Sequence, residues 1–263
     1  MLIAEIGFNF LGNLDLCFKM IESAKKNNVD AVKFQIWDTK YLKKGGWDND
    51  GRREIYEKAQ LDPKSYKKIL TFCKKKKIEC FASAPTLRDA KILNNISDKI
   101  IKIPSMEAHN HDLIKYSINN FTKVFVSTGA LREKELKSLL KYKDLDNFYI
   151  FHCVSSYPLK LENFNIGKFL YLKKNFKNLG YSGHYDGIDD ALFAISNGAK
   201  LIEKHFTINK NLPGRDNKFA LLPLQFKKIK KFINSYNKIS KINSLDIVAE
   251  ELEVYKNYRG RWG

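Results

Sequence analysis

Cysteine is scarce in this sequence and is not arranged as a metal or disulfide motif. The chain of 263 residues has four cysteines, Cys17, Cys73, Cys80 and Cys153, and no two of them form a CxxC pair. This spacing excludes a cysteine-based zinc ribbon or a CxxC redox motif, and a chain of this length needs no disulfide framework to fold. We therefore predict four buried thiols.

Long hydrophobic runs and an N-terminal targeting segment are also missing. No apolar run approaches the roughly 20 residues that a membrane-spanning helix needs. The opening stretch MLIAEIGFNFLGNLD lacks the basic residues that begin a signal peptide. These absences predict a cytoplasmic protein with no membrane partner.

Acidic residues are few relative to basic ones. The chain has 29 Asp and Glu against 47 Lys and Arg, which gives a net charge of +18 and can indicate nucleic-acid binding. The lysines, however, lie between apolar residues at helical spacing, as in CKKKKIEC and FKKIKKFINSYNKIS, which is typical of solvated helix faces. Because no helix-turn-helix, zinc-finger or aromatic-basic RNA motif is present, we predict no nucleic-acid partner. A positive field instead favours small phosphorylated or carboxylated substrates.

The sequence does contain an alternation of short apolar strands with amphipathic helices. The strand patterns are LIAEIG, DAVKFQ, IECFASA, KIIKIPS, KVFVSTG, FYIFHCVSS, NLGYSGH and AKLIEKH. Helical patterns such as NLDLCFKMIESAKKNN lie between most of them. This alternation predicts an α/β fold, a (β/α)8 TIM barrel, with a doubly wound open sheet as the alternative. Because no linker or repeat divides the chain, we predict a single domain over residues 1–240 and a basic tail over residues 241–263.

The predicted strands end in polar side chains. In a (β/α)8 barrel the active site lies at the carboxyl ends of the strands. The side chains at these strand ends can bind an anion, a metal or a hydroxyl group, and we predict that they form one shared site. These residues are Glu5, Lys33, Gln35, Ser83, Lys102, Ser105, Glu107, Ser127, Thr128, His152, Ser155, Tyr157, Ser182, His184, Glu203 and His205.

Two histidines end the seventh and eighth predicted strands, which are neighbours in a barrel. His184 and His205 could there bind one divalent metal and leave positions open for water and substrate. Such a site suits Mn²⁺, Fe²⁺, Co²⁺ or Zn²⁺ acting as a Lewis acid. The alternative is that each is a hydrogen-bonded structural histidine. His109 and His111, after the fourth strand, either begin a helix or form a second candidate metal pair.

Two lysines lie inside apolar strands, where a lysine is costly unless it meets a charge. Lys33 and Lys102 would form, with serines on neighbouring strand ends, a cluster suited to a small dianion that carries carboxylate and phosphate. Two alternatives stay open: the lysines snorkel at the barrel rim, or one forms a Schiff base as in a class I aldolase. The serines are Ser105, Ser127, Ser155 and Ser182.

Eight short motifs follow one another along the chain. They are IAEIG, AVKFQ, IKIPSME, VSTG, HCVSSYP, YSGH, IEKHFT and PGRD, and they cover residues 2 to about 220. In this order they resemble the barrel domain of the sialic acid synthase family, which includes legionaminic and pseudaminic acid synthases. The resemblance implies condensation of phosphoenolpyruvate with an open-chain acylated aminosugar to give a nonulosonic 2-keto acid and phosphate. It also implies a role in surface-glycan biosynthesis and a homodimer.

The resemblance assigns the anion and metal sites. Lys33, Lys102 and the four serines would bind phosphoenolpyruvate. His184 and His205 would be the metal ligands, with Mn²⁺ as the expected ion and Mg²⁺, Co²⁺, Fe²⁺ or Zn²⁺ as alternatives.

The resemblance also assigns the sugar site and the catalytic residues. Glu5, Tyr157 and Asp216 would bind sugar hydroxyls, and Glu107 would help to move protons near the reacting carbons. Glu107, Lys102 and Glu5 are thus the predicted catalytic residues. In the implied mechanism, C3 of phosphoenolpyruvate attacks the aldehyde, which the metal polarises. Water adds at C2 before phosphate leaves by C–O cleavage.

The sequence departs from the family pattern at its C-terminus. Family members usually continue into an antifreeze-like domain whose arginine reaches the partner's sugar site, whereas this chain ends at YKNYRGRWG. Arg52 and Arg53, in the long loop after the second strand, are predicted to choose the sugar by meeting a carboxylate, phosphate or acyl group. The alternative is that this loop only covers the barrel mouth. Arg215, or Arg259 or Arg261 of a partner's tail, are further candidates.

Two internal departures leave alternatives for function. Ala84 stands where the family often has a threonine, and Gly183 stands where an aspartate is more usual, which predicts the loss of a carboxylate behind His184. One alternative is a synthase that acts on a phosphorylated aldose to give a different ulosonic acid. The other is a non-catalytic barrel that senses sugars or serves in assembly.

Overall fold

Eight parallel strands form a closed barrel in the computed structural model, which describes residues 1–96 and 99–263. The strands are β1 (Leu2–Gly7), β2 (Ala31–Gln35), β3 (Glu79–Ser83), β4 (Ile100–Ile103), β5 (Lys123–Ser127), β6 (Phe148–Cys153), β7 (Leu179–Gly183) and β8 (Leu201–His205). Each strand pairs with its neighbours in chain order, and β8 pairs with β1 to close the barrel. This closure confirms the predicted (β/α)8 barrel and excludes the open sheet.

Helices connect the strands on the outside of the barrel. They are α1 (Leu14–Lys26), α2 (Arg52–Ala59), α3 (Pro63–Lys76), α4 (Leu87–Asn95), α5 (His111–Asn120), α6 (Glu133–Ser138), α7 (Ile166–Asn175), α8 (Asp189–Ser196), α9 (Pro223–Ile239) and α10 (Leu252–Asn257). The start of α3 shows ordinary capping, since Asp62 accepts hydrogen bonds from two backbone amides and Pro63 takes the first helical position. Among the described residues, no helix is long and apolar enough to cross a membrane.

Residues along each strand point alternately into the barrel and out toward the helices. The amino-terminal part of the interior is apolar and contains a buried cluster that includes Ile3, Phe81, Phe125 and Phe151. Glu5 lies two residues after Ile3 in β1 and therefore points to the same, inner face of the barrel. The barrel therefore has an apolar floor, and its polar layer lies at the carboxyl ends of the strands.

The outward residues of the strands pack against the helices in a larger apolar core. In this core Phe34 of β2 meets Tyr66 of α3 edge to face, with ring centres 6.5 Å apart. All four cysteines are buried free thiols, as predicted. This packing fixes the strands and thereby the positions of the polar groups at their ends.

The predicted tail, residues 241–263, is exposed along nearly its whole length. A 3-10 turn (Ala249–Glu251) leads into α10. The tail is charge-balanced rather than basic, because four basic and four acidic side chains offset each other. They are Lys241, Lys256, Arg259 and Arg261 against Asp246, Glu250, Glu251 and Glu253. The positive charge of the chain therefore lies in residues 1–240.

His152, one of the predicted strand-end groups, lies on the outer face of β6 and not in the barrel interior. Its Nε2 donates a 2.7 Å hydrogen bond to the carbonyl oxygen of Phe164, and its ring contacts Phe169 and Tyr181. Burial lowers the pKa of His152 to about 4. The sequence interpretation of His152 as a site group is thus corrected, because strand alternation turns it toward α7.

This buried histidine predicts a loss of stability in acid. The unfolded chain protonates His152 near its ordinary pKa of about 6.5, whereas the folded chain keeps it neutral until about pH 4. Between these values the unfolded state binds the extra proton, and the penalty on folding grows to about 3 kcal/mol as the pH falls to 4. The free energy of unfolding, measured by urea denaturation, should fall less between pH 6.5 and pH 4.5 for the His152→Phe variant than for the natural protein. Equal declines would contradict this role.

Candidate active site

Four buried charged residues form one connected network at the carboxyl ends of β1, β2, β4 and β8. The Nζ atom of Lys33 lies 2.9 Å from Glu5 Oε2 and 3.7 Å from Glu203 Oε1. The Nζ atom of Lys102 lies 3.1 Å from Glu203 Oε2. No side chain of the four is more than 6% exposed. Two cations thus compensate two carboxylates away from water, which is the condition for burying such groups.

Neutral groups orient both carboxylates and one of the lysines. Gln35 Nε2 donates a hydrogen bond of 2.5 Å to Glu5 Oε1, and Ser182 Oγ donates one of 3.1 Å to Glu203 Oε1. The Lys102 ammonium also lies 3.7 Å above the centre of the Phe151 ring, close enough for a cation–π contact. Ser182, predicted to bind the substrate anion, therefore contacts Glu203 directly.

The network shifts the pKa values of its members in different directions. Burial raises the pKa of Glu5 to about 7, since Lys33 offsets only part of the desolvation. Burial also acts to raise the pKa of Glu203, but Lys102 and Lys33 outweigh it and hold that pKa below its usual value. Burial lowers the pKa of Lys102, whereas for Lys33 the two glutamates outweigh burial and raise the pKa. Near neutral pH, Glu5 can therefore exchange a proton while Glu203 stays ionised.

Glu203 is the member of the network to which sequence reasoning gave no role. It was noted only as a strand end, although it contacts both predicted anion-binding lysines. The register of β8 carries the signal, because period-2 alternation places Leu201, Glu203 and His205 on one face and Lys204 on the other. An inward glutamate between two inward lysines could have been expected from that alternation.

A second polar group surrounds the end of β5. Ser105 Oγ accepts a 3.0 Å hydrogen bond from the Gly129 backbone amide. Ser127 Oγ is buried and has no hydrogen-bond partner among the described residues. A Cβ on Gly129 would lie 2.2 Å from Ser155 Oγ and 2.7 Å from Ser105 Oγ, so only glycine lets both hydroxyls come this close to the backbone. We call Ser105, Ser127, Gly129 and Ser155 the serine cradle.

His184 and His205 face each other at the ends of β7 and β8. Their ring centres lie 5.4 Å apart. His184 Nδ1 donates a 2.9 Å hydrogen bond to the Val154 carbonyl oxygen, which leaves Nε2 as its lone-pair nitrogen. The Nδ1 atom of His205 is buried without a hydrogen-bond partner among the described residues, and Asp216 Oδ2 lies 3.6 Å from it. The two imidazoles thus lie side by side at the strand ends, and their role as metal ligands stays a prediction.

The histidine pair has the properties that a divalent metal requires. Burial lowers the pKa of His184 to about 4, and burial together with His184 lowers the pKa of His205, so both rings are neutral near pH 7 and able to ligate a cation. An unpaired buried nitrogen costs free energy until a ligand satisfies it. In the described part of the chain, no group of three or more His, Cys, Asp or Glu side chains is arranged so that it could hold a metal ion. The pair thus offers two nitrogen ligands, with the Asp216 carboxylate near by.

A carboxylate from α8 occupies the space beside the glycine that precedes His184. A Cβ on Gly183 would lie 2.4 Å from Asp190 Oδ2, so Asp190 fills the space that a side chain at position 183 would need. The same oxygen accepts 2.7 Å hydrogen bonds from Lys204 Nζ and from the Tyr181 hydroxyl. His184 itself donates to the Val154 carbonyl oxygen and not to a carboxylate, so the expectation that Gly183 removes a carboxylate behind His184 stays a prediction.

Tyr157 and Asp216, predicted to bind sugar hydroxyls, lie beside the histidine pair. The Tyr157 ring centre is 4.1 Å from that of His184, and the Phe219 ring centre is 5.1 Å from that of His205. Burial raises the pKa of Asp216 to about 6. These side chains form a wall next to the imidazoles that combines two aromatic rings with one carboxyl group.

Glu107 lies at the edge of the site. It ends the 3-10 turn Ser105–Glu107 after β4, and its Oε2 accepts a 3.2 Å hydrogen bond from Asn110 Nδ2. Among the described residues it makes no ion pair with the buried network. Glu107 and Ser105 of the serine cradle thus belong to the same turn.

The two arginines of the second loop have different surroundings. Arg53 donates to Asp48 Oδ1 at 2.5 Å and to the Leu42 carbonyl oxygen at 3.4 Å, so it holds the loop together. Arg52 pairs with Asp50 and lines an open cavity of about 480 Å³. Of the two predicted sugar-binding arginines, the structure presents Arg52 to the cavity and engages Arg53 within the loop.

The second candidate metal pair is not assembled. His111 begins α5, where its Nδ1 lies 3.2 Å from the Tyr142 hydroxyl and its Nε2 lies 3.0 Å from Ser138 Oγ. His109 is exposed. Because both ring nitrogens of His111 are engaged by protein hydroxyls, the prediction of a metal pair at this position is wrong.

The chain is similar to proteins of one family over most of its length. A model described as the NeuB family matches residues 20–244. An N,N'-diacetyllegionaminic acid synthase of Campylobacter jejuni is 33% identical over 244 residues, which cover 86% of this chain and 73% of that protein. An N-acetylneuraminate-9-phosphate synthase of Drosophila melanogaster is 28% identical over 268 residues, which cover 95% of this chain and 70% of that protein.

A solved structure resembles this chain as a whole. It is an N-acetylneuraminic acid (sialic acid) synthetase from Leptospira borgpetersenii serovar Hardjo-bovis in complex with citrate. It matches with a TM-score of 0.88 at 29% identity, over 99% of this chain and 92% of that chain. The likeness therefore extends over the strands, the loops that follow them and the outer helices.

Proposed function

The chain belongs to the NeuB family, and we propose that it condenses phosphoenolpyruvate with an open-chain aminosugar to give a nine-carbon 2-keto-3-deoxy acid and phosphate. The observation that carries this proposal is the buried network of Lys33, Lys102, Glu5 and Glu203, which adjoins the serine cradle and the histidine pair. Cations suit an anionic substrate, a metal site suits an aldehyde, and carboxylates suit proton transfer. All three lie at the end of the barrel where such enzymes place their chemistry.

Lys33 and Lys102 would bind the carboxylate and phosphate of phosphoenolpyruvate. With both glutamates ionised, the network is neutral. With Glu5 protonated, which its pKa of about 7 allows near neutral pH, the network carries one net positive charge and favours an anion. The cradle adds the Ser127 hydroxyl, which has no hydrogen-bond partner in the described part of the chain, and the donors around Gly129. Charge and hydrogen-bonding capacity thus both favour the anion at this position.

The proposed reaction joins C3 of phosphoenolpyruvate to the aldehyde carbon of the acceptor. The aldehyde oxygen gains a proton and becomes a hydroxyl group. Water adds to C2 and loses one proton, which balances the proton gained by the aldehyde oxygen. Phosphate then leaves by cleavage of the C2–O bond, and the new hydroxyl group on C2 gives its second proton to the phosphate and becomes the keto oxygen. Glu5 inside the network and Glu107 at its edge are the carboxylates that we assign to these proton transfers.

His184 and His205 would hold a divalent cation, Mn²⁺ in our proposal, which supplies a Lewis acid toward the aldehyde oxygen when bound. The wall of Tyr157 and Asp216 would orient the sugar through its hydroxyls. Because both imidazoles are held neutral by burial, they stay available as ligands across the neutral pH range.

Product analysis tests the proposed function. The protein is incubated with phosphoenolpyruvate, Mn²⁺ and an N-acetylated aminosugar, and the products are examined by mass spectrometry and a phosphate assay. We expect a 2-keto acid with three more carbons than the acceptor, in a one-to-one ratio with phosphate. In ¹⁸O-enriched water the released phosphate should contain no solvent oxygen, because the C–O bond breaks. Sugar binding without either product would contradict the proposal and indicate a non-catalytic barrel.

Gly129→Ala should weaken phosphoenolpyruvate binding. The added Cβ would lie 2.2 Å from Ser155 Oγ and would force the hydroxyls of the serine cradle apart. Each hydrogen bond lost to a charged group is worth about 1.5–3 kcal/mol, so we expect KM for phosphoenolpyruvate to rise about tenfold or more. The measurement is steady-state kinetics at saturating acceptor.

The matched control for this prediction is Gly167→Ala on α7. A Cβ there would meet only Asn165 Oδ1, at 3.9 Å, so KM should stay unchanged. If Gly129→Ala also kept the natural KM, the serine cradle would not be a phosphoenolpyruvate site.

A further inference from the structure

An open cavity lies at the mouth of the barrel, next to Asp216. Its volume is about 480 Å³, and it is lined by Asp50, Arg52, Ile55, Gly214, Arg215 and Lys218. A second cavity of about 540 Å³ adjoins the first, since both are lined by Gly214 and Lys218. We call Arg52, Arg215 and Lys218 the basic rim. The basic rim borders an opening large enough to admit part of a small substrate.

The basic rim carries more positive charge than the nearby carboxylates neutralise. Asp50 pairs with Arg52, with 2.5 Å between Asp50 Oδ2 and Arg52 Nη2. Arg215 and Lys218 are exposed, and neither forms an ion pair within 4 Å with any other residue that the structure describes. Arg215 also acts to lower the pKa values of Asp50 and Asp216. The three cations of the basic rim thus outnumber these two carboxylates, and a net positive charge faces the opening.

The loop after β8 ties the basic rim to the histidine pair. Arg215 and Lys218 flank Asp216 along the chain, and Asp216 Oδ2 lies 3.6 Å from Nδ1 of His205. Asn217 anchors this segment, because it is fully buried and its Nδ2 donates a 3.1 Å hydrogen bond to a backbone carbonyl of the β1–α1 loop. The same turn thus points a carboxylate toward the imidazoles and places two cations at the opening.

We propose that the basic rim binds an anionic group, a phosphate or a carboxylate, at the end of the acceptor sugar far from its aldehyde. This inference rests on the proposed function, because that function places the aldehyde of the acceptor at the histidine pair. A guanidinium group binds phosphate and carboxylate in a bidentate manner, and an ammonium group adds a point charge. An anionic acceptor is steered into the opening by these charges, whereas a neutral aminosugar leaves them facing water alone.

Calorimetry without phosphoenolpyruvate tests the binding step apart from turnover. The probes are N-acetylmannosamine 6-phosphate and N-acetylmannosamine. We expect the phosphorylated sugar to bind the natural protein at least about tenfold more tightly, and Arg215→Ala/Lys218→Ala to weaken its binding by about 30-fold. The control Lys227→Ala/Lys228→Ala removes the same charge from exposed positions of α9 and should leave Kd unchanged. Equal affinities in the rim variant and the natural protein would overturn the inference.

Acceptor-dependent phosphate release separates this inference from the proposed function. We expect kcat/KM to be higher with N-acetylmannosamine 6-phosphate than with the neutral sugar, and this preference to be lost in the rim variant. N-acetylmannosaminuronic acid, run alongside, distinguishes a carboxylate from a phosphate. Equal kcat/KM with neutral and anionic sugars would overturn the inference that the basic rim binds an anionic group, and it would leave the proposed synthase function standing. The opposite outcome is that the sugar phosphate binds, that the rim variant weakens this binding, and that no acceptor gives phosphate release from phosphoenolpyruvate. This outcome would overturn the proposed synthase function and support the anion site at the basic rim.

Discussion

Replacing His205 by alanine should lower kcat/KM for acceptor-dependent phosphate release by about 1,000-fold, the scale expected when a group that stabilises developing charge is lost. His205 ends β8 inside the site, and its buried Nδ1 has no hydrogen-bond partner among the described residues. Alanine therefore leaves no protein polar group unsatisfied, and the fold should persist. The variant should also bind Mn²⁺ more weakly, which electron paramagnetic resonance of free Mn²⁺ measures.

His111→Ala is the matched control for this variant. His111 is a partly buried histidine whose ring nitrogens are bonded to Tyr142 and Ser138 at the start of α5. It should lose some thermal stability and keep its kcat/KM and Mn²⁺ affinity. Natural activity and Mn²⁺ binding in the His205→Ala protein would remove this histidine from the site.

Lys102→Met should abolish phosphoenolpyruvate binding and destabilise the fold. Among the described residues, the substitution leaves Lys33, 3.7 Å away, as the one remaining cationic partner of buried Glu203. Removing one partner of a buried ion pair costs about 3 kcal/mol or more, because the remaining charge stays buried with less compensation. We expect a loss of this size in urea denaturation, and no detectable phosphoenolpyruvate binding by calorimetry.

A double variant separates the two effects of Lys102. In Lys102→Met/Glu203→Gln both charges are gone, so most of the stability lost in the single variant should return. Binding of phosphoenolpyruvate should not return, because the cation that meets the anion is still absent. If the double variant regained binding, Lys102 would act only as a structural partner of Glu203.

Strand alternation made the position of the site predictable. Short apolar runs that end in polar residues give the strands, and a barrel brings their carboxyl ends together. For this reason Lys33, Lys102, His184 and His205 can be assigned to one site from the sequence alone. Alternation within a strand also explains the error at His152, which follows an inward residue and so faces α7.

The pairing of side chains across the barrel was harder to predict. Glu203 meets Lys102 through a separation of 101 residues, which depends on barrel register and not on any local pattern. Asp190 of α8 fills the space beside Gly183 of β7, and only the packing of that helix against that strand shows this. The contacts of Arg53 are likewise set by how the second loop folds on itself. Each of these contacts follows from tertiary geometry that the sequence expresses only indirectly.

Phosphate release from phosphoenolpyruvate by metal-stripped protein, before and after Mn²⁺ is restored, tests the central claim most directly. The assay uses free and phosphorylated aminosugars as acceptors, with His205→Ala alongside. A metal-assisted synthase at the carboxyl ends of the strands predicts no release without metal, acceptor-dependent release once Mn²⁺ is restored, and none in the variant. Release that is equally fast with and without metal, or no release with any acceptor, would contradict it.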